Sequence, residues 1–318
     1  MILDDATVQL YEACGNRLLI VHLPREFQHA DDGLRRELQQ AGLSHKADSV
    51  LVITGNPQLV QQQGYHVMMD VFEPRGRDTF RPELHGSWST MCGNGIRAIA
   101  CYLRDTHRVK EERFIIRTRS GPREVFSLPD NNFRVCMGRF SDEQSDLARY
   151  VHDFNMIPLQ KTVQKTGTPM QEIIIGLNGN PDAQGHIDGE PHLVIFVKKE
   201  ASIGQLREWA LAIAPLLIAD QGRFPEGINI SVASIGEKEG KTQHINACTF
   251  ERGVDYVTAS CGTAATVIGS HLLAKDKDPQ MIDVHMPGGI LHIERDGTDQ
   301  YYLTGKVAHI LMNKAEVR

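Results

Sequence analysis

No stretch of this sequence stays apolar for the roughly 20 residues a membrane helix needs, and positive charge is not in excess. The formal net charge is −6, so there is no electrostatic footprint for nucleic acid or for an anionic membrane. No Cys-x-x-Cys pair occurs, which speaks against structural zinc, and no metal is expected. A phosphate loop of the Gly-x-x-x-x-Gly-Lys-(Ser/Thr) type is absent too. The first residues, Met1-Ile2-Leu3-Asp4-Asp5, lack the basic start and apolar core of an export signal. The six cysteines are therefore expected as reduced thiols in a cytoplasmic protein. What is present is ordinary for a globular chain. Apolar residues make up 41% and charged residues 23% of 318 positions, enough for one large or two medium domains.

Two cysteines stand out by their context. Cys92 lies in Met91-Cys92-Gly93-Asn94-Gly95-Ile96-Arg97, and Cys261 in Ser260-Cys261-Gly262-Thr263-Ala264-Ala265. Each opens what reads as a helix, each is followed at once by glycine, and they hold corresponding places in the two halves. Free backbone N–H groups and the helix dipole favour a thiolate at such a position. Two such thiols facing each other across a small cleft make an acid and a base of one chemical type. That suits removing a proton from one face of a carbon and returning one to the other. A lone cysteine of this kind would read as a buried structural residue; the duplication argues for chemistry. Glycine after each cysteine lets a ligand approach the backbone and exposes N–H groups that can hold a carboxylate. An amino acid carboxylate held there would place its α-carbon between the two sulfurs.

Apolar runs predict strands at 18–23, 49–54, 65–72, 113–118, 133–137, 172–175, 192–197, 228–233 and 290–294. A helix is predicted over 32–41, with Asp32 as its N-cap, and another over 205–214, ended by Pro215. The helix after Cys92 carries Ile96, Ile99, Ala100 and Leu103 on one stripe, and the helix after Cys261 carries Ala264, Val267, Ile268 and Leu272. Both are small or apolar nearly all round, apart from Arg97, so both belong inside a core wrapped by sheet. The polar segment 141–164 reads as a crossing between halves, and 178–189 as an exposed loop. Gly93-x-Gly95-x-x-Ala98 also fits a dinucleotide fingerprint. It lacks the apolar strand that must precede it, since His85–Thr90 is polar and turn-like, and the fingerprint is rejected.

Taken together, these motifs resemble the diaminopimelate epimerase family of amino acid racemases and epimerases. Met91–Arg97 is similar to its first signature; Glu251-Arg252-Gly253-Val254 with Ser260-Cys261-Gly262-Thr263 is similar to its second. Cys14-Gly15-Asn16, Gly189-Glu190-Pro191-His192, Phe224-Pro225-Glu226-Gly227-Ile228-Asn229 and Met286-Pro287-Gly288-Gly289 fall in the family's order. The resemblance implies an α/β fold of two pseudo-symmetric domains, each a mostly antiparallel or mixed sheet wrapped around a central helix. The halves are expected at 1–143 and 144–304, with a final strand in 305–318 returning to the first. It also implies an isomerase without a cofactor, acting on a small-molecule amino acid, with a homodimer as the fitting oligomer. Cys92 and Cys261 would be base and acid. The N–H groups of Gly93, Asn94, Gly262 and Thr263 would bind the α-carboxylate, and Asn16 would contact the reacting end. His192 and Glu251 would support the thiols and the ammonium. Asn229 and Arg252 would reach the far end of the substrate.

The chain departs from the family at that far end. Glu83 and Glu190 stand where diaminopimelate enzymes carry asparagines that grip the distal amino acid moiety. Two carboxylates would repel a substrate carboxylate and favour a cationic or donor-rich group. Arg252 and Asn229 argue the other way, since an arginine fork suits a distal carboxylate. A third possibility is that Glu83 and Glu190 pair with Arg252 or Arg97 and only shape the wall. Diaminopimelate and a basic amino acid such as histidine therefore compete as substrates. A non-catalytic amino-acid-binding relative and a redox sensor using the cysteine pair are the alternatives from other classes. Ala264 replaces the family's usual glycine, with little effect expected at a helix first turn.

Overall fold

The computed structural model describes residues 3–24, 26–54, 64–77, 85–252, 254, 256–276 and 278–312. The fold is α/β, built as two compact units. The first comprises Met1–Cys136 with Thr304–Arg318, and the second Met137–Leu303.

In the first unit, β1 (Thr7–Ala13) and β2 (Asn16–Leu23) form an antiparallel hairpin. The helix α1 (Asp32–Ser44) leads to β3 (Ser49–Thr54), which lies parallel to β2. β4 (Val67–Arg77) returns antiparallel to β3 and pairs with β5 (His85–Ser89). The helix α2 (Gly93–Asp105) follows, then β6 (Arg113–Thr118), parallel to β4, then β7 (Gly121–Ser127) and β8 (Asn132–Ser141), whose residues from Met137 on belong to the second unit.

The second unit has α3 (Gln144–Leu147), α4 (Met156–Lys165), and then the same plan again. β9 (Met170–Pro181) pairs with the short β10 (Ile187–Gly189) and, antiparallel, with β11 (His192–Val197). The helix α5 (Ile203–Ile218) leads to β12 (Asn229–Glu239), parallel to β11. β13 (Thr242–Glu251) returns antiparallel and pairs with β14 (Tyr256–Val257). The helix α6 (Gly262–Lys275) follows, then β15 (Met281–Met286), parallel to β13, and β16 (Gly289–Arg295). β17 (Tyr301–Ile310) starts in the second unit, and its later residues pair with β1 in the first, Leu10 opposite Ile310.

Each unit thus has a helix that packs one face on its sheet, α1 or α5, and a helix buried along most of its length, α2 or α6. α1 packs Leu34 and Leu38 against Leu19, Val21, Val50 and Val52. α5 packs Leu206, Ala210, Ile213 and Leu217 against Leu193, Ile195, Ile230 and Val232. α2 is buried at every position from Gly93 to Leu103, and α6 at nearly every position from Gly262 to Leu273. α6 has almost no water-facing side and its sequence is not amphipathic, whereas α2 keeps a polar stripe of Asn94, Arg97, Arg104 and Asp105 and buries the first two of them all the same.

Several local expectations need correction. The N-cap of α1 is Asp31, not Asp32; its carboxylate accepts the N–H groups of Gly33 and Leu34. Pro215 does not end α5, which continues to Ile218. Leu217 beyond it is buried in the core, and that packing offsets the one backbone hydrogen bond a proline removes. Most of 178–189 is paired strand, and its exposed residues are 181–186 and Asp188. Backbones approach so closely there that a Cβ on Gly189 would meet the Asn178 carbonyl oxygen at 2.1 Å. Nor is 141–164 a mere crossing. Leu147, Tyr150, Val151, Leu159 and Val163 belong to the second unit's core. Buried Arg223 ties the segment down, donating to the Asp153 and Asn155 carbonyl oxygens at 2.7 Å and pairing with the Asp153 carboxylate at 2.5 Å.

Candidate active site

In the first unit, Cys92 is the N-cap residue of α2. Its backbone is extended, at φ −139° and ψ 112°, and its Sγ accepts the Gly95 N–H at 3.2 Å. A sulfur so placed is stabilised as an anion by a peptide donor and by the helix dipole together. Gly95 has to be small. A Cβ there would lie 2.7 Å from the Leu51 side chain and 3.2 Å from the Cys92 Cβ. Asn16 opens β2 and is buried. The turn before it places Cys14 (φ 49°) and Gly15 (φ 82°) in the left-handed region.

Arg97, expected as the exception on a buried helix, is itself fully buried. Its guanidinium donates to Asn94 Oδ1 at 2.5 Å, to the Lys306 carbonyl oxygen at 3.4 Å, and to Cys14 Sγ at 3.8 and 3.9 Å. These partners are neutral backbone or side-chain groups and one thiol, with no carboxylate among them. The interior of the first unit therefore holds a cation one turn from its cysteine. The sequence marked the residue but not this role.

In the second unit, Cys261 is the N-cap residue of α6 and is 4% exposed. Its Sγ lies 3.2 Å from the Thr263 hydroxyl, and its N–H points to Met286 Sδ at 3.4 Å. Unlike Cys92, it makes no side-chain cap of its helix. The first N–H groups of α6, those of Gly262 and Thr263 among them, are ones that a helix start leaves without intrahelical acceptors.

The strand register brings four more expected residues to one end of this sheet. His192 and Asn229 open parallel β11 and β12 side by side. Glu251 and Arg252 lie at the end of β13 beside them. Asn229 acts as a clamp: its Oδ1 accepts the Arg252 N–H at 3.0 Å and its Nδ2 donates to the Pro191 carbonyl at 3.2 Å. Glu251 accepts a hydrogen bond from the Thr258 hydroxyl, on the segment that leads to Cys261.

Glu190 forms an ion pair with Arg252 at 2.7 Å, the carboxylate side chain only 8% exposed. Arg252 also donates to the Glu226 and Gly227 carbonyl oxygens, at 3.2 and 3.4 Å, and lies over the Tyr150 ring. Burial works against the Arg252 charge, but the Glu190 carboxylate outweighs it and holds the guanidinium above its ordinary pKa. For Glu190, then, the pairing option is the one realised. Glu83 lies outside the described residues.

His192 is fully buried, and neither ring nitrogen has a hydrogen-bond partner. Burial drives its pKa down to about 3, with Glu190 opposing and Arg252 assisting. The expectation that His192 supports a thiol is not met as a hydrogen bond. It is a neutral imidazole that offers one donor and one acceptor. Among the described residues, no group of three or more His, Cys, Asp or Glu side chains is placed to hold a metal ion, and no helix is long and apolar enough to cross a membrane.

The comparisons with known proteins agree with this layout. The family model for diaminopimelate epimerase matches residues 187–310. The diaminopimelate epimerase of Bartonella henselae is 27% identical over 306 residues, which span 94% of this chain and 91% of the relative. The chain belongs to the diaminopimelate epimerase family. Solved structures show that family's fold beyond recognisable sequence likeness. A phenazine biosynthesis protein of the PhzF family from Bacillus anthracis matches with a TM-score of 0.61 at 15% identity, covering 96% of both chains. A hydroxyproline epimerase from Agrobacterium vitis, with bound trans-4-OH-L-proline, matches at 0.57 and 12% identity, covering 96% of this chain and 91% of that one.

Proposed function

We propose that this protein is an amino acid racemase or epimerase that inverts the α-carbon of a free amino acid with Cys92 and Cys261 and needs no cofactor. The observation that carries the reading is the repetition of one device. In two units of the same strand plan, a cysteine occupies the N-cap position of the buried helix, with glycine next to it.

The α-proton of an amino acid is a very weak acid, so the carbanion-like state needs stabilisation by dipoles already in place. The first N–H groups of α2 and α6 supply them for the substrate carboxylate, where negative charge develops. One sulfur, as thiolate, takes the α-proton and becomes a thiol. The other, as thiol, delivers its proton to the opposite face and becomes the thiolate. The substrate's hand decides which sulfur does which. His192 stays uncharged through this cycle and serves as a hydrogen-bond partner, since a group titrating near pH 3 is a poor proton acceptor at neutral pH.

Incubation with a panel of amino acids in deuterated water, with α-proton loss followed by NMR, tests the activity. Solvent deuterium should appear at the α-carbon with inversion. The two-base scheme further requires both sulfurs to reach one α-carbon. A short reagent with two thiol-alkylating ends should therefore join Cys92 to Cys261, each sulfur displacing one halide. Failure to crosslink, or exchange that survives the loss of either cysteine, overturns it.

A further inference from the structure

The fork of Arg252 is the natural seat for a second carboxylate on a substrate, yet the chain has filled it with its own. One Nη binds Glu190 at 2.7 Å and the other two backbone carbonyls. Asn229, the other side chain suited to the substrate's far end, has its oxygen and its amide nitrogen both engaged within the unit. The charges around the pair lean negative. Glu226 and Asp188 lie nearby with Arg149 between them, 3.8 and 3.9 Å from the two carboxylates. With Glu190 and Arg252 included, three carboxylates stand against two guanidinium groups. Gly189 fixes the geometry, because the tight backbone contact at that residue sets where Glu190 leaves the chain.

We infer that Glu190 closes Arg252 to a second substrate carboxylate, so that this protein takes an amino acid with a single carboxylate and a neutral or cationic side chain. The inference rests on the reading that an amino acid binds at this end of the second unit's sheet. A distal carboxylate would have to displace Glu190 from the guanidinium and leave it half-buried beside another anion. A neutral or cationic side chain meets no such penalty.

The test measures binding of meso-diaminopimelate, L-histidine and L-lysine by calorimetry to the full chain and to Glu190→Gln and Glu190→Asn. The wild type should bind histidine or lysine roughly 10-fold or more tightly than diaminopimelate. Both variants should move that ratio toward diaminopimelate by about 10-fold, the effect of freeing one charge-assisted contact. Tighter or equal binding of diaminopimelate by the wild type overturns the inference, and so does failure of both single-carboxylate ligands to bind. An unchanged ratio in variants that remain folded overturns the role of Glu190. The wild-type preference needs no variant, so a misfolded substitution does not rescue the idea. Binding in this order without α-proton exchange would count against the proposed activity and leave this selectivity standing.

Discussion

The two buried helices begin alike and differ in what surrounds their first turns. Cys92 is partly exposed, receives the Gly95 N–H, and has a buried guanidinium one turn along at Arg97. Cys261 is buried, caps nothing, and faces the Thr263 hydroxyl. Counting from each cysteine, the position of Arg97 in α2 is that of Thr266 in α6, whose hydroxyl only bonds back to the Gly262 carbonyl at 2.7 Å. Repeating a strand plan therefore repeated a position without repeating its electrostatics. The first unit gives its sulfur a peptide donor and a guanidinium further along the helix, and the second gives its sulfur a hydroxyl and deeper burial.

The largest effect should come from the sulfurs themselves. Cys92→Ala and Cys261→Ala should each lower α-proton exchange by about 10³-fold or more. A mutant that retains exchange at near wild-type rate would break the symmetry of roles. Next comes the cation. Arg97→Met should slow alkylation of Cys92 by iodoacetamide at pH 7 by about 10-fold, as a lost charge near a thiolate would, while Thr266→Val leaves alkylation of Cys261 within about 2-fold. Mass spectrometry of the labelled peptides reads both, and equal responses would erase the difference drawn above.

His192 separates stability from activity. His192→Leu removes two unpartnered buried nitrogens and should stabilise the fold by about 1–2 kcal/mol in urea denaturation while exchange falls. The pH dependence has a definite sign. The folded pKa, about 3, lies below the ordinary histidine value. The contribution of neutral His192 is complete above pH 6.5 or so and is lost as pH falls toward 3, because the unfolded chain takes up the proton first. The acid limb of the stability curve should therefore be shallower in His192→Leu. The smallest effect concerns the third residue of each helix. Gly95→Ala crowds Leu51 and the Cys92 Cβ and should reduce activity several-fold. Ala264→Gly adds only backbone freedom near a helix end and should cost less than about 1 kcal/mol.

Much of this was legible in the residues. The buried helices announced themselves because α6 is small or apolar nearly all round and α2 is so apart from a few residues such as Arg97, and the cysteine–glycine pairs marked their starts. Nine strands showed as apolar runs, while β1, β7, β13 and β15 were not read and β5 lies in a stretch that read as polar and turn-like. What escaped the sequence depends on three-dimensional register. Pro215 read as a stop because the buried Leu217 beyond it was invisible to a local rule. The turn-like composition of 178–189 concealed a paired strand, since its glycines serve close backbone approach rather than looping out. At the far end of the site, three arrangements of Glu190 were compatible with composition. Only the meeting of β12 and β13 at Asn229 brings Arg252 onto that carboxylate. Tyr150, beneath the guanidinium, belongs to no motif at all and arrives from a segment that read as a connector.

The pairing of Leu10 with Ile310 has a bearing on how the molecule is made. β1 leaves the ribosome long before β17, one of its two neighbours. Until then its edge carries unmatched peptide groups, a template for stray strand addition. Closing that gap joins contacts of very large sequence separation, which slows folding. Synthesis conditions that favour holding the nascent chain apart from its siblings should therefore raise the yield of native protein.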